Sequence, residues 1–528
     1  MRVTSLGHAG LCVETSGARL LCDPWLSPEG AFQASWFQYP DNVHLMSDEL
    51  CSPSAVVLTQ GERDRVDPWL LARLAANAPA IACTTTAPSV RRLLQESAPR
   101  RIIAAAPWQR IEVAPGTTLH FVPEDSPLSR RAAVVLREGD ETLVDLGGTR
   151  LAPIQLDQIR EATGGKIDLL CVQGATTSWY PSCYEYTDER RREAARQKRL
   201  ARFAYIVRAI HMLKPTHVMP FGGHPCFLDP ELAHHNDGLE PGGFPDQKQY
   251  IEWLADRGIT NAVAMMPGDS WDISRRRRET DATWDAVSLS NRKRYLADYA
   301  ERRRPHVEAV LARYPEPRES LWDSFRDYFE HLLELSPYFN ERIGIRIGFH
   351  VTGDGGGDWS VDFRPGSRGV RPTLDDCGYE YKVAGRWAQP LFRRELAWDD
   401  FLFSLRLTAR RSADKCNDHV RLLRFADETL LRAVEQRERT ARADDTIAVH
   451  SGGHVYDVQR FCPHDGNDLL DCGEVLPSGV LRCLAHRYDY SLSDGACLNG
   501  RSARLRVTRG APEPMTPTPM MAMPEWSA

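Results

Sequence analysis

Four residues towards the C-terminal end have the types and spacing to hold a redox metal. They are Cys462-x-His464 in FCPHDG and, after eighteen intervening residues, Cys483-x-x-His486 in RCLAHRYDY. Two thiolates on one iron and two neutral imidazoles on the other make a [2Fe–2S] centre that is less negative than an all-thiolate one, with a potential of roughly −150 to +300 mV. Such a centre passes single electrons. The same four ligands could instead make a tetrahedral zinc site. Zinc sites usually pair Cys with Cys and His with His, whereas each short loop here offers one of each, with Pro463 between the first two ligands and Asp465-Gly466 after them.

Loops of this kind need a rigid frame. TIAVHSGGHVYDVQRF reads as strand, Gly-Gly turn and strand, and Tyr488 and Tyr490 alternate on a strand after the second loop. The two loops resemble those of Rieske [2Fe–2S] domains, and the resemblance implies Cys462, His464, Cys483 and His486 as cluster ligands. Respiratory Rieske proteins add a Cys to each loop, where this chain has Asn467 and Ala485. The likeness is therefore to the lower-potential type of oxygenases and their ferredoxins. Arg487 stands where those loops usually carry Gly.

The chain has 528 residues, enough for roughly three domains. Its 42% hydrophobic and 26% charged content is that of a soluble globular protein. No apolar run approaches the ~18 residues of a membrane span, and MRVTSLGHAG lacks a signal-peptide pattern. Thirteen scattered Cys suit a reducing compartment, so the cytoplasm is expected. A net charge of −6 gives no reason to expect nucleic acid or membrane as partner.

Residues 1–275 read as alternating strands and helices, in an order that suggests a β-rich αββα sandwich. VTSLGHAGL, LLCDPWLSPEGAFQASWFQYPDN, SWYP, PCFLDPELAHHND and FPDQ resemble the bacterial UDP-N-acetylmuramic acid hydroxylase family, related more distantly to CMP-N-acetylneuraminic acid hydroxylase. That resemblance implies an α/β metallo-β-lactamase-like domain over 1–275, an α+β connecting region over 276–440 and an all-β Rieske domain over 441–509, before a Pro-rich disordered tail at 510–528. It also implies O2-dependent hydroxylation, with the cluster feeding electrons to a mononuclear non-haem iron.

The chain departs from that family at the iron. After the strand AVVLT the family's pattern is H-x-H-x-D-H-x-D, and here Gln60, Glu62 and Arg65 stand in place of the three His while only Asp64 and Asp67 match. A later acidic ligand position falls at Gly147 and Gly148. Arg65 in a ligand place opposes a metal, because like charges ~4 Å apart repel by about 4 kcal/mol at an effective dielectric of 20, and a divalent ion doubles that. A rebuilt iron site from Glu62, Asp64 and His224 is chemically available as two carboxylates and one imidazole. Each also has an ordinary reading. Asp67-Pro68 looks like a helix cap, Asp23 and His8 like structural loop residues, and a lone His224 like a satisfied one.

Along DERRREAARQKRLARFAYIVRAIHML, Leu200, Phe203, Val207 and Ile210 mark a core face, and Arg190, Arg191, Arg192, Arg196, Lys198, Arg199 and Arg202 a solvated one. Trp36, Phe37, Trp179 and Tyr180 are core residues by default, with a share in the pocket wall by resemblance. In the middle region IGIRIGFHV and WSVDF read as paired strands around TGDGGGD, which lacks the Lys of a phosphate-binding loop. DDFLFSLRLTARR and DHVRLLRFADETLLRAVEQRE read as helices. Two functions remain open: a Rieske oxygenase acting on a small molecule, or an electron-transfer or accessory protein with a metal-free first domain. The chain shows no G-x-G-x-x-G nucleotide fingerprint, so either needs an external ferredoxin or reductase. An oligomer is compatible with both.

Overall fold

The computed structural model describes residues 1–95, 101–125, 129–174, 177–221, 223, 225–239, 247–286, 291–411, 446–464, 469–484, 487–500 and 504–512, with isolated positions from 428 to 436. The chain divides into two compact units, one of residues 1–414 and 419–433, the other of 415–418 and 434–528.

Two facing sheets organise the first unit. The eight-stranded sheet begins antiparallel around Arg2–Gly7 and Gly10–Glu14 and continues in parallel through Arg19–Cys22, Ala55–Leu58, Ala80–Cys83 and Ile102–Ala105. The six-stranded sheet runs from His217–Phe221 through Leu169–Gln173, Glu141–Asp145, Ala132–Glu138 and Thr117–Pro123 to Ile111–Ala114. Strand residues alternate between two apolar layers. Ala132, Val134 and Leu136 join the core between the sheets, while Ala133 and Val135 pack outward under helices. Helices Pro153–Ala162, Asp188–Leu213 and Gln247–Ala255 cover one outer face, and Pro68–Leu71 with Ala87–Gln95 the other. This is the expected αββα sandwich.

The helix at Pro68 is a single turn, shorter than PWLLARLAANA suggested. On Asp188–Leu213 the buried stripe is Phe203, Ile206, Ile210 and Leu213, while Leu200 and Val207 are only half-buried. Arg202 belongs to that buried stripe and not to a solvated face. Its guanidinium donates to the carbonyls of Gly147, Thr149 and Gln173 at 2.9, 2.8 and 3.0 Å, satisfying loop acceptors that would otherwise be orphaned inside.

The middle region adds a five-stranded sheet in which Arg346–Thr352 pairs with Gly357–Asp362, as the alternation of Ile347, Phe349 and Val351 suggested. Its core also takes in Trp25, Phe32 and Trp36, so it grows directly onto the sandwich. DDFLFSLRLTARR divides into a helix, Trp398–Phe403, and an edge strand, Leu407–Arg411, where one helix was expected. The next expected helix falls largely outside the described residues.

The second unit holds two three-stranded sheets. Thr446–Ser451 and His454–Gln459 form a hairpin whose turn residues Gly452 and Gly453 have φ of 57° and 73°, the left-handed pair that a tight two-residue turn requires. Val507–Pro512 completes that sheet. Residues 513–528, most of the expected tail, lie outside the described residues. No helix among the described residues is long and apolar enough to cross a membrane.

Candidate functional site

In the second unit the sheet Gly473–Leu476, Val480–Cys483 and Tyr488–Ser491 positions one ligand loop by register. Cys483 ends its strand opposite Tyr488, and the Arg487 amide donates to the Cys483 carbonyl at 2.7 Å. Asn499 fastens the exit, donating to the Arg487 carbonyl at 2.8 Å and accepting from the Asp489 amide at 2.9 Å. Arg487 adopts φ 60°, the left-handed conformation that explains why Gly is usual at its position.

Cys462, His464 and Cys483 are buried. The two thiols lie within hydrogen-bonding reach of each other, and burial first, then this contact, pushes the Cys462 thiol well above its ordinary range. Two thiols so placed fit iron, because a bound cation would stabilise the thiolates that burial otherwise disfavours. The Tyr490 hydroxyl lies 3.3 Å from Cys462 Sγ, and Tyr488 stacks on the His464 ring at 4.3 Å. His486 lies outside the described residues. Residues 426–508 match the family model described as the Rieske [2Fe-2S] domain. The C-terminal unit carries a Rieske [2Fe–2S] domain. That family match favours iron over zinc.

The first unit gathers a second constellation at the carboxyl ends of its strands, where open α/β sheets place ligands. A pocket there is lined by His8, Trp36, Gln60, Glu62, Asp64, Arg131, Gln173, Thr177, Gly223 and Phe403. Glu62 and Asp64 both line this pocket, whereas His224 lies outside the described residues. Trp36 shares the wall. Phe37 does not, packing instead in a separate cluster with Tyr299, and Trp179 reaches only as far as the Phe403 ring. Arg131, Gln173, Thr177 and Phe403 were not anticipated.

Arg65 does not turn outward. Fully buried behind this wall, it reaches Asp23 Oδ2 and Asp64 Oδ2 at 3.3 Å each and Gln173 Oε1 at 2.9 Å. Burial alone would raise the Asp64 carboxyl, but the His8 hydrogen bond and the Arg65 charge hold it down to about 2. His8 uses both ring nitrogens. Nδ1 faces the Gly223 carbonyl at 3.0 Å, which can only accept, and Nε2 lies 2.9 Å from Asp64 Oδ2. Glu62 pairs with Arg131 at 3.2 Å, and its carboxyl is raised by burial against that attraction.

Asp23 accepts from the Thr59 amide and hydroxyl, and burial raises it to about 6. Asp145, fully buried, is pushed up to about 7 by burial and by the Asp23 charge. Asp67 caps Pro68–Leu71 through the Leu70 amide and also accepts from Leu26 and Ser27. Its expected capping role therefore holds. A Cβ at Gly148 would meet Gln173 Oε1 at 2.7 Å, so the position corresponding to a later metal ligand is closed by the amide that Arg65 holds. Among the described residues no three His, Cys, Asp or Glu are grouped to hold a metal ion. The described residues of this pocket do not fit iron.

Over nearly its whole length the chain is similar to proteins described as Rieske 2Fe-2S iron-sulfur proteins. That of Mycobacterium tuberculosis is 28% identical, covering 96% of this chain and all of the relative, and that of Mycolicibacterium smegmatis matches to the same extent. Among solved structures, an isothiocyanate hydrolase from Delia radicum gut bacteria is 13% identical over 52% of this chain and 99% of its own, with a TM-score of 0.36. CmlA, a diiron β-hydroxylase from Streptomyces venezuelae, is 15% identical over 53% of this chain and 54% of its own, with a TM-score of 0.33. Neither likeness carries weight on activity.

Proposed function

We propose that this protein is a Rieske iron–sulfur oxidoreductase that passes single electrons, and that its first unit is a metal-free scaffold with a ligand pocket. The observation carrying this reading is the Arg65 guanidinium, buried between Asp23 and Asp64 at the place where a lactamase-like fold would seat metal. When bound, the cluster supplies one-electron oxidation and reduction. Cys462, His464, Cys483 and His486 would hold it, Tyr488 would keep the His464 ring in plane by stacking, and Tyr490 would donate to the Cys462 sulfur. Asn499 would fix the second loop. Electrons would come from an external ferredoxin or reductase in the cytoplasm, since the sequence offers no nucleotide fingerprint.

A second reading, a hydroxylase with iron on Glu62, Asp64 and His224, is favoured by one observation. Glu62 and Asp64 share a pocket with Gly223, the neighbour of His224. By resemblance its substrate would be an N-acyl sugar nucleotide or a related specialised metabolite. Iron there would have to take Asp64 from His8 and Arg65, and Glu62 from Arg131. Iron and acid-labile sulfide per chain, with EPR of the reduced protein, separate the two. About two irons and two sulfides support the electron carrier. A third iron that disappears on Glu62→Gln or Asp64→Asn would establish the hydroxylase instead.

A further inference from the structure

The buried side of the pocket deepens the metal-free reading of the first unit, and the role of Arg65 there rests on that reading. Asp23 and Asp145 are fully buried carboxylates at the ends of strands, and Asp64, nearly as buried, lies in the loop after Ala55–Leu58. Buried carboxylates need a cation or a proton. Arg65 provides the cation from within the chain, and it does so with a fork. Nη1 reaches Asp23, Nε reaches Asp64 and Nη2 reaches Gln173, three directions that a lysine ammonium could not serve in one plane. The neighbouring groups are adapted to this guanidinium. Gly148 leaves room for the Gln173 amide, and both ring nitrogens of His8 already lie against protein oxygens, the Gly223 carbonyl and Asp64 Oδ2.

We propose that Arg65 is a built-in substitute for a metal ion. Its guanidinium holds Asp23, Asp64 and Gln173 together as a divalent cation would, and its fixed charge closes the pocket to such cations. Removing that charge while leaving the carboxylates should convert the site into one that recruits a divalent ion.

The test uses full-length, cluster-loaded protein titrated anaerobically with MnCl2, free Mn2+ being counted by its EPR signal. Wild type should take up no Mn2+ at this site. Arg65→Ala should take up about one per chain, bound roughly 100-fold or more tighter than by wild type, as the removal of a full like charge at contact distance implies. Adding Asp64→Asn should abolish that uptake, and Arg65→Lys, which keeps the charge, should stay closed. If Arg65→Ala does not accumulate as folded protein, the neutral Arg65→Gln takes its place with the same expectation. Should the folded charge-removing variant bind Mn2+ no better than wild type, the substitution idea fails while the electron-carrier reading stands. Were wild type itself to hold a metal that Asp64→Asn releases, both would fall.

Discussion

The two constellations answer one electrostatic problem in opposite ways. In the Rieske loops, Cys462 and Cys483 bring two buried thiols together, and the charge that would let them ionise must come from iron. In the pocket of the first unit, Asp23 and Asp64 bring buried carboxylates together, and Arg65 supplies the charge from the chain. On the proposed reading, one site depends on a cofactor and the other does without one. The sharpest way to break the contrast is at the thiols. Cys483→Ser should leave the second unit without its cluster, reducing iron from about two per chain to none and erasing the EPR signal of the reduced protein. Retention of two irons would mean that the ligands have been misassigned.

The corresponding change in the first unit should affect stability and leave iron untouched. Arg65→Met strands Asp23 and Asp64 in the interior, and breaking a buried pair from one side costs about 3–5 kcal/mol. Chemical denaturation followed in the first unit should show a loss of that order, with the iron content unchanged. A loss below about 1 kcal/mol would mean that the guanidinium is not the partner on which these carboxylates depend.

The proposed cluster ligands are legible in the sequence because they are local. Cys462, His464, Cys483 and His486 fall within two loops, and their residue types and spacing state the chemistry without reference to a fold. The pocket is assembled from His8 to Phe403, so no window of sequence contains it. Glu62 and Asp64 were found because they follow a strand at a known offset. Arg131, Gln173 and Phe403 gave no comparable signal. Arg202 was misplaced for a physical reason, since charge suggests solvent, whereas the Gly147, Thr149 and Gln173 carbonyls needed a buried donor. Leu407–Arg411 was read as helix because LTARR has no strong strand pattern, and its pairing with Tyr379–Ala384 decides its state from outside.

Acid–base behaviour sharpens the contrast further. Asp145, raised to about 7, and Asp23, raised to about 6, hold protons in the folded state that the unfolded chain releases near its ordinary carboxylate range. Their contributions therefore make the first unit less stable as pH rises from about 4 to 7. Asp64, held at about 2, acts in the opposite sense, and its contribution is lost only as pH falls from about 4 towards 2. Asp145→Asn keeps an oxygen for the Gly147 amide and removes the charge. It should raise the thermal midpoint at pH 8 and change it little at pH 5. Equal effects at both values would show that Asp145 does not titrate in this range. In the second unit, Tyr490→Phe removes a hydrogen bond to the Cys462 sulfur, and a spectroelectrochemical titration should find a more negative potential with iron content retained.

The smallest expected effect lies at the loop that carries His486. Arg487 sits at φ 60°, a conformation that costs an L-residue roughly 1–2 kcal/mol and Gly almost nothing. Its backbone is nevertheless fixed at both ends, through its amide to Cys483 and through its carbonyl from Asn499. Arg487→Gly keeps both bonds and relieves the backbone, while the added freedom of Gly in the unfolded chain offsets part of the gain. The second unit should become more stable by about 0.5–1 kcal/mol, read by cluster bleaching on thermal unfolding. Asn499→Ala should act the other way, because it removes the group that holds the strained residue in place. If Arg487→Gly were instead destabilising, the side chain of Arg487 would be contributing more than its backbone costs, and the loop would owe its shape to that side chain and not to the Asn499 clamp.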